Sequence, residues 1–281
     1  MLDLRFTKMQ ACGNDFVIVD DRIGALVGME SEVSQRVCQR RLGIGADGLL
    51  ILRNGSQAGY FQMVFVNSNG LIGEMCGNGA RCLSAHIQRL GLADKALVLE
   101  TGNGLVHVQF LDNQRIELTL PAAGPVRTDV AIQWGGRQWL FDAVDIGPPH
   151  AVCFVDTVAD LAALDVPRIG RDVRHHATFA PRGCNVNFAA VEGRALHVRT
   201  FERGVEDETL GCGTGATATV LVARLRWGAS APTVVITRSE EELDVALDDP
   251  TGCLRLTGGA HLVADGTLSP ALLRGLVSRS L

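Results

Sequence analysis

Two short blocks decide how this chain is read: CGNGA at Cys76–Ala80 and CGTGA at Cys212–Ala216, 136 residues apart. Each sets a cysteine and two glycines at the mouth of a predicted helix. After the first block, Ala80, Leu83, Ile87 and Leu90 fall at helical spacing, and Gly91 is a natural stop. After the second, ATATVLVARLRW is apolar on nearly every face, the mark of a helix inside a structure, with Gly228 as its stop. A duplicated thiol of this kind suggests two thiols facing one substrate. One removes a proton from a carbon and the other returns one to the opposite face, which is the chemistry of a racemase or epimerase.

The offset of 136 extends beyond the cysteines: Asn14 maps to His150, Asp20 to Asp156, Asn67 to Arg203 and Thr101 to Thr237, with no gap needed. The runs DFVIVD and AVCFVD read as strands, as do YFQMVFVN and LHVRTFER. The chain therefore reads as a duplication of two similar halves. Each runs strand, turn, polar loop, CGxGA, helix and further strands. Hairpin-like pairs are expected in LVHVQFLDNQRIELTLP and in NVNFAAVEGRALHVRTF, the second turning near Glu192–Gly193. Many strands with one buried helix per half suggest a curled sheet wrapped on a central helix. The boundary is expected near Pro121–Pro125, giving residues 1–121 plus a returning tail 267–281 as the half with Cys76, and 122–266 as the half with Cys212.

Composition narrows the function classes. Of 281 residues, 47% are apolar and 20% charged, as in a globular enzyme. A net charge of -5 gives no electrostatic footprint for nucleic acid. No apolar run is long enough to span a bilayer and the opening MLDLRFTK lacks the core of a signal peptide, so cytoplasm is the expected compartment. The cysteines at 12, 38, 76, 82, 153, 184, 212 and 253 form no CxxC pair, so no metal site is expected. Lys8 and Lys95 are the only lysines, and neither lies in the paired motif. A pyridoxal Schiff base is therefore not expected, and there is no dinucleotide fingerprint or P-loop. Cofactor-free chemistry is the simpler reading.

Without an electron sink, the carbanion left by an amino-acid α-proton must be stabilised through its carboxylate. A helix N-terminus does this with unpaired N–H groups and the positive end of its dipole. Gly77 and Gly79, and Gly213 and Gly215, let that backbone approach closely. The same helix ends favour thiolate at Cys76 and Cys212, one thiol and one thiolate at the start of each turnover. Other polar residues gather at the same turns: Asn14 in ACGND, Asn67 before NGLIGEM, His150 in GPPH, and Glu202 with Arg203 before Cys212. Arg203 suits a bidentate clamp on a second carboxylate; the competing reading is a surface ion pair with Glu206 or Asp207.

With these residues in view, the chain resembles the diaminopimelate epimerases almost end to end. The likeness runs through FTKMQACGNDFVIVD, RRLGIGADGLL, FVNSNGLIGEMCGNGARC, GPPHAV, NVNF and FERGVEDETLGCGTGA. It implies an α/β (α+β) fold of two pseudo-twofold-related domains, each a curled mixed sheet around a central helix, with substrate in the cleft between them. It implies cofactor-independent interconversion of LL- and meso-diaminopimelate, a step toward lysine and peptidoglycan, by a small-molecule enzyme that can pair as a homodimer. By motif position Cys76 and Cys212 are the two bases, and His150 and Glu202 tune them. Gly77, Asn78, Gly213 and Thr214 donate backbone N–H groups to the reacting carboxylate, while Asn14, Asn67, Asn185, Glu202 and Arg203 hold the rest of the substrate. The family can inactivate by joining its two catalytic thiols.

The chain departs from the family pattern in the distal pocket. Pro148 stands where many members have an asparagine, and Gly48 where some have glutamine. Both departures bear on which amino acid is bound rather than on the thiols. A racemase of another amino acid, such as histidine, on the same scaffold is the alternative. Proline and hydroxyproline racemases share the logic with different cysteine motifs. A non-catalytic binding or thiol-redox protein is the reading from another class.

Overall fold

Alternating and continuous apolar runs dominate the chain, and strands dominate the fold. A computed structural model describes residues 4–228, 233–247 and 252–273. The chain divides into two units: one runs to Leu118 and resumes at Gly259, and the other is Thr119–Gly258. Each is a mixed sheet with few helices.

In the first unit, β1 (Arg5–Ala11) and β2 (Asn14–Asp20) form a hairpin, and helix α1 (Glu30–Val37) carries the chain to β3 (Gly48–Asn54), parallel to β2. Antiparallel to β3 runs β4 (Tyr60–Asn67), followed by the two-residue β5 (Ile72–Gly73) and helix α2 (Gly77–Arg89). Next come β6 (Ala96–Thr101), parallel to β4, then β7 (Gly104–Phe110) and β8 (Ile116–Leu120). Residues Gly48–Leu52 are buried without alternation because β3 is covered on both faces. Leu49 and Ile51 pack with Val33 and Val37 of α1. Leu50 faces α2, where a Cβ on Gly79 would lie 3.2 Å from its methyl. Each fully buried Leu or Ile of this kind contributes roughly 1.5–3 kcal/mol. Gly91, at φ +71°, ends α2 as expected.

The second unit repeats the plan. After β9 (Arg127–Trp134) come the hairpin partners β10 (Arg137–Asp145) and β11 (Pro149–Phe154). A crossover with α3 (Val158–Ala163) and α4 (Val166–Arg174) leads to β12 (Asn185–Glu192), parallel to β11. Then follow β13 (Ala195–Glu202), β14 (Asp207–Thr209), helix α5 (Gly213–Trp227), β15 (Val234–Ile236), β16 (Glu242–Leu247) and β17 (Leu254–Gly258). Val186, Phe188 and Ala190 of β12 pack with Val166, Ile169 and Val173 of α4. Helix α5 lies on the other face, against β10–β13, β16 and β17. Its buried Thr217 and Thr219 hydroxyls donate back to Gly213 O (2.9 Å) and Gly215 O (2.8 Å), which makes threonine tolerable there. Gly228, at φ +68°, ends the helix. The turn between β12 and β13 falls at Gly193, as read from the sequence.

Three features differ from the expectation. Each half carries a further helix on the outer face of its sheet, α1 in one and α3 with α4 in the other, so the buried helix is not alone. The gapless offset does not hold throughout. Phe16 pairs with Gly48, 32 residues on, whereas His150 pairs with Asn185, 35 on. The longer crossover of the second half displaces the register, and a shorter turn restores it: residues 55–59 join β3 to β4, but only 193–194 join β12 to β13. Finally, the last strand β18 (His261–Thr267) pairs with β1 as β9 pairs with β10, so residues 259–266 lie with the first unit and not with the second.

Candidate active site

The first cysteine site is built at one end of the β2–β3–β4 sheet. Asn14 opens β2, Gly48 opens the parallel β3 and pairs with Asn67, which closes the antiparallel β4. The hairpin turn before Asn14 is Cys12–Gly13, with φ of +52° and +74°, the left-handed pair that a tight hairpin needs. Asp47 accepts from Asn14 Nδ2 at 2.8 Å and is itself held by Arg40 at 2.8 Å. That fixes the Asn14 carboxamide with Oδ1 turned to the mouth of α2. There it lies 3.5 Å from Cys76 Sγ and 3.4 Å from Asn78 Nδ2.

Cys76 is the N-cap of α2: its backbone is extended and its sulfur accepts from Gly79 N at 3.5 Å. Sulfur thus stands where a serine or aspartate oxygen usually caps a helix. No acidic side chain occupies the first turn, so no carboxylate of that turn offsets the positive end of the helix. Gly77 and Asn78 are buried in that turn. Asn67 lies at the same sheet end, its Nδ2 donating to Leu71 O at 3.1 Å.

The second site uses the corresponding end of β11, β12 and β13. Cys212 caps α5 in the same manner, accepting from Gly215 N at 3.4 Å, with Thr214 Oγ1 3.5 Å from the sulfur and again no acid in the first turn. Behind it lies a buried polar network. His150 has Asn187 Nδ2 3.2 Å from Nδ1 and Asn185 Nδ2 3.4 Å from Nε2. Thr200 Oγ1 donates to Asn187 Oδ1 at 3.0 Å, and the Arg203 backbone N–H donates to Asn185 Oδ1 at 2.8 Å. Burial, and then the nearby Arg203 charge, push the His150 pKa down to about 3, against the opposing hydrogen bond from Asn187. His150 is therefore a neutral imidazole near pH 7. Gly215 joins the two features: a Cβ there would lie 2.3 Å from Asn187 Oδ1 and 3.2 Å from Thr200 Oγ1.

Glu202 closes β13 and accepts from Thr209 Oγ1 at 2.6 Å. The guanidinium of Arg203 is exposed and reaches Arg182 O at 3.5 Å. Glu206, the expected competitor for it, is held by Arg174 at 2.8 Å. Pro148, in the turn before His150, offers a carbonyl to Ile146 N at 3.0 Å and no side-chain donor.

Four site residues carried no sequence signal of their own or were passed over. Asp47, just before β3, orients Asn14, and Thr200 of β13 orients Asn187. Asn187 was legible, because in NVNF it shares a strand face with Asn185. Arg81, fully buried behind Asn78, read as an ordinary helix residue. Most other cysteines are packing groups: burial pushes the Cys38 pKa up to about 11 and those of Cys153 and Cys184 up to about 12. Lys8 is paired with Asp15 at 2.9 Å. No helix among the described residues is long and apolar enough to cross a membrane.

Comparison with known proteins places this arrangement. The family model described as diaminopimelate epimerase matches residues 6–125 and again 142–263. The diaminopimelate epimerase of Aquifex aeolicus is 35% identical, over 96% of this chain and 99% of that one. Two solved structures share the fold at low identity. A Bacillus anthracis phenazine biosynthesis protein of the PhzF family superposes with a TM-score of 0.73 at 16% identity, covering 96% of this chain and 100% of that one. A probable proline racemase from Agrobacterium radiobacter gives 0.71 at 14%, covering 98% and 95%. The capped cysteines and the doubled plan thus sit in a chain that belongs to the diaminopimelate epimerase family of isomerases.

Proposed function

We propose that this protein interconverts LL- and meso-diaminopimelate without a cofactor, in the supply of lysine and peptidoglycan precursors, with Cys76 and Cys212 as its two bases. The observation that carries the reading is the duplicated cap: two cysteines, each accepting from the third N–H of its helix, each before a first turn that contains no acid. A thiolate takes the α-proton, the other thiol delivers its proton to the opposite face, and the two exchange states. Backbone N–H groups of Gly77, Asn78, Gly213 and Thr214 serve the reacting carboxylate as charge grows on it. His150, neutral, and Glu202 tune the second thiol. Asn14, Asn67, Asn185 and Arg203 hold the remainder of the substrate, Arg203 through its fork of donors. The cytoplasm and a homodimeric assembly belong to the same reading.

A specific observation keeps a second substrate in play. Pro148 supplies only a carbonyl where a side-chain donor would help hold a distal amino-acid head. A racemase of another amino acid, histidine among them, would use the same thiols. Solvent deuterium uptake separates the readings. Reduced protein in heavy water is given LL-diaminopimelate and, separately, a panel of L-amino acids, followed by chiral separation and mass spectrometry. Uptake with inversion in diaminopimelate alone establishes the epimerase. Uptake in another amino acid moves the substrate and keeps the mechanism. None in either, from folded and reduced protein, overturns both in favour of a binding or redox protein.

A further inference from the structure

Arg81 is the largest fully buried side chain among the described residues, at 0% exposure. Its acceptors include no carboxylate: Asn78 Oδ1 at 2.7 Å and Cys12 Sγ at 3.5 Å from Nη2, and Gly259 O at 3.1 Å from Nε. Nη1 has no hydrogen-bond partner. A buried guanidinium without a carboxylate is costly to maintain, so its position calls for a reason. Its three partners supply one. Asn78 lies in the first turn of α2, and Cys12 holds the left-handed turn that delivers Asn14 to β2. Arg81 therefore grips both neighbours of the Cys76 thiol, Asn78 directly and Asn14 through its turn. With Asn78 Oδ1 taken by Arg81, Asn78 Nδ2 is turned to Asn14 Oδ1, which lies 3.5 Å from Cys76 Sγ. In the second half the offset of 136 puts Thr217 in this place, with its hydroxyl turned back to Gly213 O.

We propose that Arg81 is the positioning residue of the first thiol: it locks the Asn78–Asn14 pair against Cys76 and sets a fixed positive charge behind the mouth of α2, favouring thiolate at Cys76 and not at Cys212. The proposal rests on Cys76 being a catalytic thiol. A buried charge is screened little, so the two thiols titrate differently although their caps are alike.

The test uses the full chain with Arg81→Gln and Arg81→Lys, folding being checked by circular dichroism. Iodoacetamide alkylation of Cys76 and Cys212 is followed separately by peptide mass spectrometry across pH, beside kcat and KM for diaminopimelate. In Arg81→Gln the Cys76 profile moves to higher pH, the Cys212 profile stays, and kcat falls about 10- to 100-fold with KM little changed. Arg81→Lys keeps the Cys76 profile closer to the parent and still loses kcat. In an Asn78→Ala background, Arg81→Lys has little further effect, since both act through one contact. A folded Arg81→Gln protein with unchanged Cys76 profile and kcat overturns the proposal, and so does failure of both variants to fold, which marks a purely structural role. Cys76→Ala in the parent keeps the two claims apart. If it retains proton exchange, the catalytic reading of Cys76 fails, while the alkylation profiles still report on Arg81.

Discussion

The two helix mouths share a cap and differ in almost everything behind it. Cys76 and Cys212 both accept from the third N–H of their helices, at 3.5 and 3.4 Å. Behind Cys76 stand Asn14, Asn78 and a buried cation, Arg81; the neighbouring acid, Asp47, is shared between Asn14 and Arg40. Behind Cys212 stand Thr200, two asparagines and a neutral histidine. Duplication kept the cysteine cap and let the surroundings diverge. Two coupled thiols hold one proton between them even when alike; in the proposed mechanism the unequal surroundings bias which of them holds it.

The largest expected effect tests whether the two sites nonetheless work as one. Cys76→Ala and Cys212→Ala should each lower epimerisation by about 10²–10⁴-fold. The double variant should be no worse than either, since groups that act as a unit are not additive. Measured rates of isomer interconversion with equal singles and a flat double would support this. A single variant that kept inversion would break the equivalence of the halves.

A second contrast lies at the far ends of the two helices. Arg89 of α2 pairs with Asp265 of β18 at 2.5 Å, both nearly half exposed. Arg226 of α5 pairs with Asp129 of β9 at 3.0 Å, and also with Asp142 of β10 at 2.5 Å, whose side chain is only 2% exposed. The carboxylate of Asp142 also accepts from the Asp129 backbone N–H at 3.1 Å. Asp142→Ala leaves those donors without a buried partner and should destabilise by about 2–3 kcal/mol. Asp265→Ala, screened by water, should cost under about 1 kcal/mol. Urea unfolding of both, with equal losses, would remove the distinction.

Much of this plan is legible in the residues, and what is not has physical causes. The cysteine blocks announce the helix mouths because a small flexible backbone beside a thiol serves few other ends. Gly91 and Gly228 mark helix ends because left-handed φ favours glycine. The fold of β12 onto β13 is carried by the turn at Gly193 between two apolar runs. Helix α4 was readable too, through Val166, Ile169 and Val173 at helical spacing, but its three arginines and one proline hide the stripe from a reading by average polarity. Arg81 was out of reach. Its meaning depends on a contact with Cys12, 69 residues earlier, and on Gly259, 178 residues later. The compensating changes in crossover and turn length were invisible because they cancel before the next landmark.

A smaller effect separates the helix glycines. Gly79→Ala brings a methyl 3.2 Å from Leu50 Cδ2, a flexible neighbour, while gaining up to about 1 kcal/mol of helix propensity. Its stability should stay within about 0.5 kcal/mol of the parent by the same difference of propensity and crowding. Gly215→Ala drives its methyl to 2.3 Å from Asn187 Oδ1, which is held by Thr200. Overpacking there should cost about 2 kcal/mol. It should also disturb the His150 network, so thermal unfolding and isomer interconversion should fall together. Equal behaviour of the two alanines would show that the second mouth is as tolerant as the first.

The gentlest test makes the second half resemble the first. His150 stands at the position that Asn14 takes in its own half, and it alone of the two can titrate. Its pKa is about 3 in the fold against 6.5 for an ordinary histidine, chiefly through burial. Above pH 6.5 the ring is neutral in both folded and unfolded chains, and its preference for the fold is fully present. Below that, the unfolded chain takes a proton that the folded one refuses, so stability falls as pH drops toward 3. The slope from one such group is about 1.4 kcal/mol per pH unit. His86 in α2, whose pKa burial also lowers, adds to the same trend and remains in both proteins compared. His150→Asn should therefore lose less stability than the parent between pH 6.5 and 4, by up to that slope, when urea midpoints are measured in parallel. Parallel pH profiles would mean that His150 takes its proton at the same pH in the folded and unfolded chains. Below about pH 6.5 the second thiol would then have a cation beside it as the first does, and the asymmetry between the halves would narrow there.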